Sequence, residues 1–146
     1  MTEQSFESLK TWKKAHELML NIHKKLVPFL PKEEKYGLAD QLRRSSKSMP
    51  ANIAEGAGRF YFMDNLRFCY NARGSLDETL SHLIAARDLG YCPNSLYEDL
   101  RSQVEEVRRL LNGYITWLKA KKVGADEPGA GLAIHETPPD YLVDIE

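Results

Sequence analysis

Residues 36–59 read YGLADQLRRSSKSMPANIAEGAGR, and this stretch decides the fold. Its apolar residues recur every three or four positions, the spacing of one face of an α-helix. They are Tyr36, Ala39, Leu42, Met49, Ile53 and Ala57. Pro50 cannot donate a backbone hydrogen bond, yet the apolar pattern resumes at Ile53. We therefore predict one helix with a kink near residues 47–50 rather than a stop.

The same helix carries a polar stripe, spaced so that its members share one side. The stripe consists of Arg44, Ser48, Asn52, Glu55 and Arg59, with Arg43 and Lys47 beside it. Two interpretations are open. The stripe is either a solvated face with an ordinary helical Glu–Arg pair, or a surface that meets phosphate or a neighbouring subunit.

The rest of the first 122 residues predicts three further amphipathic helices with short links. Helix one spans about residues 6–27, and helix three about 64–89. Helix four is expected to begin at a capping box formed by Ser95 and Glu98. Gly74 and Ser75 are expected to lie against the small residues of helix two, since a mid-helix glycine is costly unless helices cross closely there. The fold class is all-α, an antiparallel up-and-down four-helix bundle.

The charge is distributed unevenly along the chain. Residues 1–122 hold all twenty Lys and Arg beside fifteen Asp and Glu, a formal +5, whereas residues 123–146 hold six acids and no base. The chain therefore divides into a mildly basic bundle, 1–122, and a Gly/Pro-rich acidic C-terminal tail, 123–146, expected to be flexible. The segment DYLVDIE at its end could dock on a groove or partner, compete with nucleic acid for the bundle, or be simply disordered.

We expect neither a membrane-spanning segment nor a signal peptide. No twenty-residue apolar run could span a membrane, and the first residues lack the basic and apolar regions of a signal peptide. The two cysteines, Cys69 and Cys92, are best interpreted as reduced thiols. A cytoplasmic location without a membrane partner is the expectation.

No motif indicates catalysis. The sequence contains no nucleophile elbow, phosphate-binding glycine loop, zinc-protease helix or zinc-binding cysteine spacing. His16 and His23 lie two turns apart, about 10 Å by helix rise, which is too far for one metal ion to bridge. We predict no enzyme, no catalytic residue, no metal and no cofactor.

Two segments resemble a known family. They are QLRRSSKSMPANIAEGAGR, residues 41–59, and ARGSLDETLSHLIAARDLGY, residues 72–91. The likeness is to the four-helix-bundle proteins named after the 23S rRNA intervening sequence, and it covers about residues 6–120. The sequence departs mildly from the family motif at Ser45, Ser46 and Met49. The resemblance implies a homopentamer. It also implies kinship with the Avd accessory proteins of diversity-generating retroelements, which serve reverse transcription by binding the transcriptase and RNA.

The candidate site residues are mainly on helix two. Those expected to contact nucleic-acid phosphate are Arg43, Arg44, Lys47, Arg59, Lys13 and Lys14. Tyr61 and Phe62 could stack on bases. The alternative use of the polar stripe is a structural polar network comprising Arg44, Asn52, Glu55, Arg59 and Glu78.

Two functions remain open from the sequence. The first is a non-enzymatic oligomeric scaffold, expected to be a pentamer, that associates through basic helices with structured RNA or an RNA-bound protein such as a reverse transcriptase. The alternative is a protein–protein adaptor without a nucleic-acid role that uses its ring surface or its C-terminal tail.

Overall fold

The computed structural model describes residues 5–122, which form four α-helices and three single 3₁₀ turns. The helices are α1 (Lys10–Lys25), α2 (Leu38–Ala57), α3 (Phe62–Asp88) and α4 (Asn94–Lys121). The 3₁₀ turns are Phe6–Ser8, Val27–Phe29 and Lys32–Glu34. The predicted all-α four-helix class is confirmed. The predicted flexible tail, 123–146, lies outside the described residues.

The four helices form a closed square. Each helix packs against its neighbours in sequence, and α1 also packs against α4, whereas within residues 5–122 the diagonal pairs do not approach each other. Short links between consecutive neighbours make this an antiparallel up-and-down bundle. The contact between α2 and α3 is the most extensive. None of the helices described between residues 5 and 122 is long and apolar enough to cross a membrane.

The apolar face of α2 enters the core as the spacing predicts, with one exception. Leu42, Met49 and Ile53 are buried, together with Ala39. Tyr36 is instead 84 % exposed, because the chain forms a turn there and α2 begins only at Leu38. The prediction that Tyr36 belongs to the apolar face is therefore wrong.

Pro50 lies inside α2 and does not end it. The helix continues for seven residues beyond Pro50, to Ala57. A proline removes one intrahelical donor and crowds the preceding turn, so a helix tolerates it only where packing compensates. Pro50 is buried in this helix, which supplies that packing.

The close approach between α2 and α3 occurs at a different glycine from the one expected. A Cβ atom on Gly56 of α2 would lie 2.6 Å from Asn65 Oδ1 and 2.9 Å from Phe68 Cβ, both on α3. Gly74 is exposed and a Cβ there would meet nothing within 4 Å, so the expectation for Gly74 is wrong. Its neighbour Ser75 does face α2, because one residue along a helix turns the side chain by about 100°.

Between α3 and α4, a glycine ends the first helix, but no side chain caps the second. Gly90 has a φ of 80°, and the Tyr91 amide donates to the Ala86 carbonyl oxygen at 2.8 Å, which closes the end of α3. α4 begins at Asn94 directly after Pro93, and no side chain caps it. The predicted capping box at Ser95 is wrong, because Ser95 already lies within the first turn.

Candidate nucleic-acid interface

Arg44 points across the α2–α3 seam, where its charge is balanced. Its guanidinium pairs with the Glu78 carboxylate and donates to Gln41 Oε1 at 2.7 Å. His82 Nε2 lies 3.3 Å from the same carboxylate. Burial alone would raise the pKa of Glu78, but the hydrogen bonds from His82 and Arg44 outweigh it, so this pKa is lowered. The Glu78 carboxylate therefore offsets the positive potential of Arg44.

Arg59, just after α2, is also paired. Its Nη2 lies 3.0 Å from Glu55 Oε1, and its guanidinium carbon lies 5.0 Å from the centroid of the Phe68 ring. A cation over an aromatic face is attracted by the electron density of the ring. Both contacts direct the guanidinium back onto the bundle, so Arg59 is less available to an external phosphate than its position suggests.

Asn52 is half-buried beside the α2–α3 seam. Its amide donates to the Ser48 carbonyl oxygen at 2.8 Å and to the Ser48 hydroxyl at 3.0 Å. The Ser48 hydroxyl lies in turn 2.8 Å from that of Ser75. In this half-buried cluster the Ser48–Ser75 contact joins α2 to α3, and Asn52 supports it from within α2.

The five residues predicted as one polar network occupy three separate places. Arg44 joins Glu78, Glu55 joins Arg59, and Asn52 joins the serines. No hydrogen bond among residues 5–122 links these groups. The reason is length, since Arg44 and Arg59 are fifteen residues apart, or about 22 Å along a helix. The stripe therefore works as local contacts and not as a continuous network.

Arg43 and Lys47 of α2, unlike Arg44, have no carboxylate partner among residues 5–122. They lie four residues apart, so their side chains leave the helix on the same side one turn apart. Lys47 is exposed and Arg43 is half-buried. Within residues 5–122 neither forms an ion pair with a carboxylate. Their charge is available to a polyanion, and we name them the basic pair.

Lys13 and Lys14 of α1, which were also predicted to contact phosphate, have contacts within the bundle. Lys14 Nζ lies 3.5 Å from Glu17 Oε2 and 4.0 Å from Glu106 Oε1 of α4. Lys13 is half-buried and has contacts of its own. These two lysines contribute to the general charge of the bundle, but the structure gives them no arrangement with the basic pair.

The aromatic residues expected to stack on bases pack against each other. Tyr61 and Phe62 are half-buried, with ring centroids 5.4 Å apart and an interplanar angle of 82°. A different aromatic group was missed in the sequence. The Trp12 and His16 rings stack in parallel at 4.7 Å, and Phe6 meets Trp12 edge-on at 5.1 Å. The spacing of Trp12 and His16, four residues apart on one helix, was the available signal.

The described residues offer no cluster of metal ligands, and both thiols are protonated. No group of three or more His, Cys, Asp or Glu side chains between residues 5 and 122 is placed to hold a metal ion. Burial raises the pKa of the Cys69 thiol to about 12 and also raises that of Cys92. Thiols in this state are poor nucleophiles, because the thiolate is the reactive form.

Comparison with known proteins identifies one family and solved structures that share the fold. The sequence model of the 23S rRNA-intervening sequence protein family matches residues 7–113. A crystal structure of a protein of unknown function from the S23 ribosomal protein family of Bacteroides thetaiotaomicron VPI-5482 is 24 % identical in sequence. It superposes with a TM-score of 0.63 over 72 % of this chain and 97 % of that one, and therefore shares the fold. No curated protein matches the chain.

Proposed function

Because the chain belongs to the 23S rRNA-intervening sequence protein family, we propose that it is a non-enzymatic scaffold that binds structured RNA, or an RNA-bound protein such as a reverse transcriptase. Binding takes place through the outward surface of α2. The observation that carries this proposal is the basic pair, Arg43 and Lys47, whose charge no carboxylate among residues 5–122 balances. The neighbouring cations, Arg44 on α2 and Arg59 just after it, are already paired.

The binding is electrostatic. Phosphate contacts by Arg and Lys release counterions, so the logarithm of affinity falls with the logarithm of salt concentration, with a slope of roughly 0.7–0.9 per contact. Two contacts per copy make a weak site. We also propose that the chain self-associates, as a pentamer, which is the state that the family resemblance implies. A pentamer repeats the basic pair five times, and linked weak contacts gain affinity through effective concentration.

A titration of labelled structured RNA against the purified protein at several salt concentrations tests this proposal. We expect binding at low ionic strength that weakens steeply as salt rises. In the variant Arg43→Ala/Lys47→Ala the affinity falls and the salt dependence becomes shallower by about 0.7–0.9 for each lost contact. Circular dichroism of both proteins shows that the fold is retained.

The matched control is Arg101→Ala/Arg108→Ala, which removes the same charge from α4. Both arginines are ion-paired, Arg101 with Glu105 at 3.3 Å and Arg108 with Asp77 at 2.7 Å. α4 is diagonal to α2 in the bundle and does not contact it within the described residues. An equal loss of affinity in both variants means that net charge alone matters, and it contradicts a site on α2. No binding at low salt overturns the proposal altogether.

The oligomeric state has its own test. Light scattering on the purified protein is expected to give five times the 16.7 kDa mass of one chain. A mass of one chain at micromolar concentration contradicts the oligomeric part of the proposal. It leaves the α2 site to be judged by the RNA titration.

A second candidate function, a protein–protein adaptor, draws on a different surface. Phe29 is 75 %, Tyr36 84 % and Leu89 57 % exposed. All three lie at the end of the bundle where α1 and α3 finish and α2 starts. Large exposed apolar side chains at the same end of a bundle are candidates for a protein interface. An adaptor is favoured if a partner that co-purifies from cells is lost in Phe29→Ser/Tyr36→Ser and kept in Arg43→Ala/Lys47→Ala.

A further inference from the structure

A pocket of about 450 Å³ opens between the start of α3 and the end of α4, on a surface that the proposed function does not use. These two helix ends meet because the helices are antiparallel. Met63, Leu66 and Tyr70 of α3 supply much of its apolar lining. Pockets that bind small ligands or peptide side chains have volumes of roughly 300–1,000 Å³, so this one is large enough for a few side chains.

The lining of the pocket is open to solvent. Met63 is 49 % exposed and Tyr70 is 40 % exposed, whereas Leu66 beneath them is buried. Covering apolar surface of this kind is favourable because it removes that surface from water. An occupant that fits must therefore offer apolar side chains.

The border of the pocket is positively charged. Arg67, Lys119 and Lys122 line it, and Lys119 Nζ lies 5.9 Å from the centroid of the Tyr70 ring. Among residues 5–122, the carboxylate that pairs with this border is Asp64, at 3.9 Å from Arg67 Nη2, which is a long contact for an ion pair. An occupant with carboxylates around an apolar face matches this border.

We infer that residues 140–146 of the same chain, DYLVDIE, bind in this pocket. The segment carries the acids Asp140, Asp144 and Glu146. In an extended peptide alternate side chains point to the same side, which puts Tyr141, Val143 and Ile145 together on one face. That face meets the apolar lining, while the acids meet the basic border.

The position of the pocket in the chain supports this occupant. The described residues end at Lys122, which itself borders the pocket. Residues 123–139 form a connection of seventeen residues, and a Gly-rich connection of that length spans roughly 20–25 Å, enough to return to its own start. Tethering raises the effective concentration to the millimolar range, so modest contacts suffice.

Methyl NMR of the full chain tests the inference, since the protein has four methionines and Met63 lines the pocket. We expect nuclear Overhauser contacts between the Met63 methyl group and the side chains of Tyr141, Val143 or Ile145. In Tyr141→Ser/Val143→Ser/Ile145→Ser these contacts disappear and the Met63 signal shifts. The signal of Met49, which is buried in the core, stays in place.

The matched control is Leu142→Ser, which removes an apolar side chain from the opposite side of the extended segment. This variant is expected to leave the Met63 signal unchanged. The reverse change, Tyr70→Glu, places an acid against the acids of the segment at a position near the surface and keeps the Met63 probe. In this variant the nuclear Overhauser contacts to Met63 are expected to disappear. The inference is overturned by the absence of contacts to Met63 in the wild-type chain. It is also overturned if a mixture of differently labelled chains shows these contacts only between copies.

Discussion

The hydroxyl oxygens of Ser48 on α2 and Ser75 on α3 lie 2.8 Å apart. This hydrogen bond joins two helices whose facing residues are small, so the backbones approach closely. One turn further along the same seam, the Thr79 hydroxyl lies 3.0 Å from that of Ser45 and bonds to the Ser75 carbonyl oxygen at 2.8 Å. The most extensive helix contact of the bundle therefore has a polar centre.

Ser45 and Thr79 should show strong energetic coupling. Both side chains are fully buried, so Thr79→Val leaves the Ser45 hydroxyl without this partner, at a cost of about 1–3 kcal/mol. In Ser45→Ala the Thr79 hydroxyl keeps its bond to the Ser75 carbonyl oxygen, so the loss is smaller. We expect Thr79→Val and Ser45→Ala to destabilise the bundle individually. The double variant should lose less than the sum, because no orphaned hydroxyl remains. Urea denaturation of the four proteins measures this coupling, and strictly additive losses would contradict it.

Gly56 and Gly74 should respond to alanine in opposite directions. Gly56→Ala places a methyl group against Asn65 and Phe68 and should cost about 1–3 kcal/mol of unfolding free energy. Gly74→Ala meets open space on an exposed helix position and should gain up to about 1 kcal/mol. Thermal or urea unfolding of the two single variants checks the pair. A loss at Gly74 equal to that at Gly56 would show that both positions are close contacts.

The four helices could be predicted from periodicity alone, but the contact details could not. The apolar spacing of α2 persists through Pro50, and this correctly indicated one continuous helix. The sequence did not show whether Gly56 or Gly74 lies at the close contact between α2 and α3, because that depends on where the two helices cross. That crossing is a property of the assembled bundle and not of either segment.

Site predictions were limited in the same physical way. The stripe on α2 identified a group of cations, but the spacing does not show which of Arg43, Arg44 and Lys47 is paired with a carboxylate. The structure separates them, because Glu78 on α3 reaches Arg44 alone. A carboxylate thirty-four residues away in sequence leaves no periodic signal on the helix that it neutralises. The start of α4 was missed for a local reason, as Pro93 sets the first turn before Ser95 can cap it.

The lowered pKa of Glu78 should make stability depend on acidity below pH 4.5, its ordinary value. A carboxyl with a depressed folded-state pKa stabilises the protein above its unfolded pKa. This contribution to the free energy of unfolding is lost as the pH falls through the pKa that the carboxyl has in the folded protein. Because Glu78 is partly exposed, we expect the loss of unfolding free energy to be only about a few tenths of a kcal/mol. Urea denaturation between pH 3 and 6 should show a shallower pH dependence in Glu78→Gln than in the wild type, and identical curves contradict this.

Tyr114 should stabilise the bundle through Asn65. The Asn65 amide donates to the Tyr114 hydroxyl oxygen at 3.0 Å, and both side chains are buried. Tyr114→Phe leaves that amide without this acceptor and should cost about 1–2 kcal/mol at pH 7. Burial also raises the pKa of Tyr114 to about 12, so its stabilising contribution is lost as the pH rises from about 10. The wild type should therefore approach the stability of Tyr114→Phe in alkaline urea titrations.

Cys69 should resist thiol reagents as long as the bundle is folded. Its side chain is fully buried on α3, and burial raises its pKa to about 12. At pH 8 only about one thiol in ten thousand is then ionised, and the thiolate is the reacting form. Cys92 is buried less completely, at 5 % exposure, and should react first. Mass spectrometry after timed alkylation at pH 8 distinguishes the two positions, with urea-unfolded protein as the control in which both react. Rapid modification of Cys69 in the folded protein would mean that α3 separates locally from the core, because a fully buried side chain reaches the reagent only when its helix opens.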